Sequence, residues 1–265
     1  MEIITGTDVE LRKMIQDTSL RYLSATDQLE KGALYSRLDS LCRLLNAISM
    51  DKKKVRLSHK IKKDGERYSQ LIKAYNDRLV CNFIRNKDFH DTYLGNILDV
   101  DNDELFVLEG TEESLSDDKF SKSDFSTVLF DFLKTMNLEF LLEDLIANKK
   151  IFSKIRPYKP LYLNFCGMVL HDPIDGDMSI IVDDFKYTLA DMAILAHELG
   201  HVYDLGALGT ENLCSKVTDY AYASFLGETI STMFEKSFYE YLIKNNIMVD
   251  KAKDLLNDSL FDGKN

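Results

Sequence analysis

Residues 188–209 read TLADMAILAHELGHVYDLGALG, an apolar run that carries two histidines and a glutamate near its middle. Thr188, with an aspartate three residues later, is typical of a helix capping box. The run closes on glycines, which commonly end helices. These signals predict one helix that starts near Leu189 and ends by Gly206 or Gly209.

The polar residues in this run form the pattern HELGH, which contains His197, Glu198 and His201. Positions four apart lie on one helix face, so both imidazoles can point at one ion. HExxH is a zinc-protease signature: two histidines bind Zn²⁺, and the glutamate acts as general base on the metal-bound water. The alternative is a pair of core histidines satisfied by hydrogen bonds.

A third ligand is required, because catalytic zinc sites use three protein ligands and keep one position open. The metzincin position, six residues past the second histidine, holds Ala207, which excludes that class. A second helical pattern runs over residues 217–243. If the two helices form an antiparallel hairpin that turns near residues 213–214, Glu228 lies opposite the histidine pair. Its mostly small and apolar neighbours fit a glutamate whose charge a metal compensates.

Other acidic residues remain alternatives or accessories to this set. Glu211, in the predicted turn, and Glu235, two helical turns past Glu228, are rival third ligands. Asp204 shares the face of the histidines and is predicted either to orient one imidazole or to face solvent. Asp191 is interpreted as a helix cap.

Two segments together resemble a known family. HELGH at 197–201 followed by GETISTMFE at 227–235 is similar to the thimet oligopeptidase and oligoendopeptidase F family of zinc metallopeptidases. The likeness covers roughly residues 188–241. It implies a largely helical fold with a deep channel, one zinc ion, and cleavage of short peptides inside the cell.

The resemblance also implies roles for particular residues. His197, His201 and Glu228 correspond to the zinc ligands of the family, and Glu198 corresponds to its general base. Family members are usually longer and carry a histidine and tyrosines beyond the third ligand, whereas only 37 residues follow Glu228 here (265 − 228), none of them histidine. The chain is therefore expected to be a fragment, a shortened relative or an inactive descendant of such a peptidase.

The missing distal groups affect the expected activity. Such groups help to bind substrate and the oxyanion, so this chain is expected to bind zinc but to hydrolyse peptides weakly or not at all on its own. Four tyrosines of the second helical pattern are candidate substitutes as oxyanion donors: Tyr220, Tyr222, Tyr239 and Tyr241.

The rest of the chain predicts a mainly α fold with a small β element beside the zinc-binding helix, a helical zincin-like arrangement. Two or three long helices are expected from Thr7 to about Lys87, and helical patterning resumes over residues 125–146. Residues 161–170 and 178–185 are rich in β-branched and aromatic residues and are predicted strands.

Composition bounds the organisation and the partners of the chain. We predict an N-terminal helical portion, residues 1–149, and a zinc-binding catalytic portion, residues 150–265. The net charge of −11 and pI near 5.0 argue against nucleic-acid and anionic-membrane partners. With no signal peptide, no apolar span and no paired cysteine motif, a cytoplasmic protein with reduced thiols is expected.

The predicted function is a zinc-dependent metalloendopeptidase that hydrolyses short peptides, with an extended substrate held by edge pairing to the strand MSIIVDDF, residues 178–185. The alternative is a zinc-binding but catalytically inactive helical peptide-binding module, or a fragment of a longer peptidase.

Overall fold

The computed structural model describes residues 2–49, 55–84, 119–154, 166–172, 176–208 and 230–261. Within these ranges the chain is mainly helical and carries one small sheet, as predicted. None of the described helices is long and apolar enough to cross a membrane. The helices are α1 (Asp8–Ser24), α2 (Gln28–Ile48), α3 (His59–Ile84), α4 (Lys122–Lys134), α5 (Glu139–Ala147), α6 (Leu189–Leu208), α7 (230–244) and α8 (Val249–Phe261). The strands are β1 (Ile151–Lys154), β2 (Gly167–His171) and β3 (Met178–Asp183).

The sheet has the order β1-β3-β2, with β1 parallel and β2 antiparallel to β3. The prediction that MSIIVDDF pairs with a peptide at a sheet edge is therefore wrong, because β3 is bonded on both sides. In the described part of the chain, β1 and β2 are the two edge strands, and the outer edge of β2 pairs with no further strand. The predicted boundary at residue 150 falls between the end of α5 at Ala147 and the start of β1 at Ile151.

Helices cover both faces of the sheet. Ile180 and Val182 of β3 join the core formed with α4, α5, α6, α7 and α8. Ile181 points to the opposite face, where it packs with Phe152 and with leucines of α1 and α2. Burial on both faces explains the unbroken apolar run in β3, since a strand with one wet face would alternate.

A charged cluster ties α1 and α2 to the sheet. Asp172, just after β2 and only 1% exposed, accepts Arg21 Nη1 at 2.7 Å and lies 3.4 Å from Arg37 Nε. Asp177, just before β3, accepts Arg37 Nη2 at 3.1 Å and Lys150 Nζ at 2.7 Å. The hairpin formed by β2 and β3 is thus held by two guanidinium groups, one from α1 and one from α2.

Helix α6 begins as its sequence predicts. The Asp191 backbone N–H donates to Thr188 Oγ1 at 3.1 Å, and Asp191 Oδ2 accepts the N–H groups of Thr188 and Lys186 at 2.9 and 2.8 Å. This reciprocal pairing satisfies backbone donors that have no partner inside the helix. Asp191 is therefore a capping residue, as interpreted from the sequence.

Candidate metal centre

The two histidines of HELGH lie side by side on α6. The ring centroids of His197 and His201 are 5.0 Å apart, and both rings are half-buried. Glu198, about a quarter turn round the helix from His197, is only 5% exposed. The helix thus presents two adjacent imidazoles with a buried carboxylate next to them, the donor and base chemistry of a HExxH site.

Helix α7 packs closely against α6 at a glycine. A Cβ added to Gly200 would lie 2.5 Å from Ser231 Cα, so only glycine permits this approach. One turn earlier on α6, His197 meets Glu235, which is one turn later on α7. The two helices therefore run antiparallel, as the hairpin prediction required.

The register of this helix pair differs from the predicted one. A turn centred near residues 213–214 would place Gly227 opposite Gly200, whereas the structure places Ser231 there, about one helical turn later. Glu228 and Glu211 both lie outside the described residues. The assignment of Glu228 as third ligand stays a prediction.

Glu235 contacts the first histidine through the ring nitrogen nearer the backbone. Its Oε2 lies 3.2 Å from His197 Nδ1, and its Oε1 accepts the Tyr239 hydroxyl at 2.9 Å. Histidines that bind metals usually donate their other ring N–H to a carboxylate, which fixes the ring and leaves the remaining nitrogen for the ion. Glu235 occupies that outer position relative to His197.

The same contact bears on the rival assignment of Glu235 as third ligand. A carboxylate and an imidazole bound to one zinc also have their donor atoms about 3.3 Å apart, by the usual bond lengths and tetrahedral angle. Among the described residues, however, no three side chains of His, Cys, Asp or Glu converge to hold a metal ion. The rival assignment of Glu235 as third ligand, like that of Glu228, stays a prediction.

The start of the edge strand meets the proposed base. A Cβ added to Gly167 would lie 2.5 Å from Glu198 Oε1 and 2.7 Å from Ile194 Cγ2. The backbone of β2 therefore passes directly over the buried carboxylate. Sequence reasoning missed this residue, because a single glycine near a strand start gives no sign of what its backbone approaches.

Asp204 does not orient an imidazole. Its Oδ2 is buried without a hydrogen-bond partner, and in the described part of the chain no hydrogen bond joins it to either histidine. Burial raises the pKa of Asp204 above its ordinary value. Glu235, rather than Asp204, is the carboxylate that contacts an imidazole. Its position two helical turns past Glu228 was the sequence signal that could have indicated this contact.

The described tyrosines of the second helix are not poised as oxyanion donors. Tyr239 is only 4% exposed, and its hydroxyl donates a hydrogen bond to Glu235. Tyr241 packs its ring against Phe132, with centroids 5.7 Å apart. Tyr220 and Tyr222 lie outside the described residues.

Comparison of the chain with protein-family models, with curated proteins and with solved structures finds no match. The likeness to zinc oligopeptidases therefore rests on the two segments that carry it, HELGH and GETISTMFE. In the described part of these segments, two imidazoles lie next to each other and a carboxylate contacts Nδ1 of one of them. Imidazoles are borderline-soft donors of the kind zinc prefers, so the residues present fit a zinc ion.

Proposed function

We propose that this chain is a zinc-dependent metallopeptidase of the helical zincin type that acts on short peptides, similar to oligoendopeptidases. His197, His201 and Glu228 would hold one zinc ion, and Glu198 is the general base. The observation that carries the proposal is the contact of Glu235 with His197 Nδ1. It supports the metal-binding interpretation over a pair of core histidines, because a carboxylate at one ring nitrogen is the usual outer partner of a histidine that binds metal through the other.

The proposed chemistry is hydrolysis of a peptide bond. A bound zinc ion supplies Lewis-acid polarisation and lowers the pKa of water. Glu198 takes a proton from the attacking water while the water oxygen bonds to the carbonyl carbon. It then passes that proton to the amide nitrogen, which leaves as an amine when the C–N bond breaks. Glu235 keeps His197 oriented throughout.

The substrate is proposed to bind along β2. An extended peptide can add to an exposed strand edge through main-chain hydrogen bonds. Strand β2 has such an edge in the described part of the chain, and its first residue, Gly167, lies directly against Glu198. A peptide paired there runs past the base, which favours an extended peptide as substrate over a compact ligand.

The inactive peptide-binding module is the second candidate, and the engagement of Tyr239 favours it. The loss of one oxyanion donor costs on the order of 10²–10³ in rate. We therefore expect weak turnover of short fluorogenic peptides by this chain alone. A kcat/KM of roughly 10⁴ M⁻¹s⁻¹ or more, typical of an efficient enzyme, would instead mean that the site is complete.

Metal analysis tests the proposal. The purified chain should hold about one zinc ion, the number a site with three protein ligands binds. His201→Ala should largely abolish it, whereas the exposed His59→Ala serves as a control that keeps it. Glu198→Gln should retain the metal but lose turnover, because the base is not a ligand. Absence of zinc from protein prepared without chelators, with none taken up on addition, would defeat the proposal.

A further inference from the structure

Tyr239 stands one helical turn beyond Glu235 on α7 and belongs to the buried core. A buried tyrosine hydroxyl needs a hydrogen-bond partner, and here it donates to Glu235 Oε1 at 2.9 Å. The same carboxylate reaches His197 with its other oxygen. Three side chains therefore form one chain of contacts that leads from the core to the candidate metal centre.

We infer that Tyr239 is a positioning residue that sets the tautomer of His197 before any metal binds. Its hydroxyl holds Oε1 of Glu235, so that Oε2 is directed at the imidazole. The inference concerns the metal-free chain, and only its consequence for zinc affinity rests on the proposed function.

Proton counting supports this inference. An ionised carboxylate can only accept hydrogen bonds, so a hydrogen bond between Glu235 and His197 places a proton on Nδ1. In the neutral imidazole a proton on Nδ1 makes Nε2 the acceptor nitrogen, which is the form that binds metal. The contact of Glu235 with Nδ1 therefore favours the tautomer that binds metal.

The hydroxyl matters because Glu235 is not fully enclosed. Its side chain is 27% exposed, and a glutamate has rotamer freedom of its own to lose. Without an anchor at Oε1, the carboxylate can turn toward water and release Nδ1. Tyr239 is buried, so its hydroxyl offers a fixed donor that solvent does not replace.

The test is Tyr239→Phe, which removes one oxygen and keeps the ring. Tyr241→Phe is the matched control, two residues on in the same helix. Long-range ¹⁵N–¹H correlation spectra of the metal-free proteins, at about pH 8 where ordinary imidazole is neutral, report the His197 tautomer. We expect a dominant Nδ1–H form in the unmodified chain and in Tyr241→Phe, and a mixture of tautomers in Tyr239→Phe.

Zinc affinity gives the second readout. Outer partners of metal ligands are worth roughly 10–100-fold in affinity, and we expect the low end, about tenfold, for a group one bond further out. A dominant Nε2–H form in the unmodified chain overturns the inference without any variant. So does an unchanged tautomer or an unchanged zinc Kd in Tyr239→Phe. If the unmodified chain binds no zinc, the proposed function fails and the spectra alone decide the inference.

Discussion

Replacement of Gly200 by alanine should separate the two helices that form the candidate metal centre. The new Cβ would lie 2.5 Å from Ser231 Cα, 3.1 Å from Ser231 N and 3.2 Å from Phe234 Cβ. Ordinary van der Waals contact begins at 3.4 Å, so the nearest pair must move apart by about 0.9 Å (3.4 − 2.5). Two of these atoms belong to the backbone, and no side-chain rotation relieves the overlap.

The separation acts on the contact between His197 and Glu235, which bridges the same two helices. A shift of about 0.9 Å there would lengthen the present 3.2 Å to about 4 Å, beyond hydrogen-bond range. The imidazole of His197 then loses its hydrogen bond to Glu235, and zinc affinity should fall by roughly 10–100-fold. Overpacking should also lower the free energy of unfolding by about 1–3 kcal/mol, partly offset by the better helix propensity of alanine.

Gly206→Ala provides the control on the same helix. The added Cβ there meets only Met178 Cε, at 3.7 Å, which is ordinary contact. Both variants gain the same helix propensity, about 1 kcal/mol, so their difference isolates the close approach. Zinc Kd from competition with a chromophoric chelator and urea unfolding are the measurements. Equal zinc affinity and equal unfolding midpoints for the two variants would refute the packing argument.

Further predictions concern the base, the ligands and the charged cluster. Gly167→Ala should displace Glu198, the proposed general base, and slow any peptide hydrolysis on the order of 10²-fold, with an unchanged zinc Kd; a parallel loss of zinc would contradict it. Glu228→Ala should release zinc, whereas Glu235→Ala should weaken binding roughly 10–100-fold; the reverse order would exchange their roles. Asp172→Asn should lower the free energy of unfolding in urea by about 3–5 kcal/mol, against at most about 1 kcal/mol for the exposed ion-pair residue Asp39→Asn.

The helix that carries HELGH was predictable because its signals are local. The capping pair Thr188 and Asp191, the apolar run and the closing glycines all lie within the helix or beside it, and α6 spans Leu189–Leu208 as those signals predict. The placement of His197 and His201 on one face follows from helix geometry alone. Local physics was sufficient for this half of the site.

The packing of the second helix on the first was not predictable to the turn. Its register depends on the close approach of Gly200 to Ser231, residues 31 positions apart (231 − 200), and nothing near either residue specifies that contact. The role of Glu235 followed from that register and was missed with it. Tertiary packing, rather than propensity, brings Glu235 to the imidazole of His197.

The sheet shows a similar limit. Strand β1 has only four residues, IFSK, too few to display a period of two. Strand β3 was found from its β-branched run, but its central position depends on β1 and was predicted wrongly. Continuous apolar character in β3 was the available signal, since it is typical of a strand buried on both faces.

The charged cluster has a consequence for cooperativity. Asp172 lies in the hairpin between β2 and β3, while its partners Arg21 and Arg37 lie on α1 and α2. Unfolding of α1 or α2 alone would leave the buried carboxylate of Asp172 without a guanidinium partner, which is energetically costly. Helices α1 and α2 and the sheet should therefore unfold as one unit. By linkage, a peptide bound along β2 would then protect α1 and α2 from amide hydrogen exchange, although it touches neither.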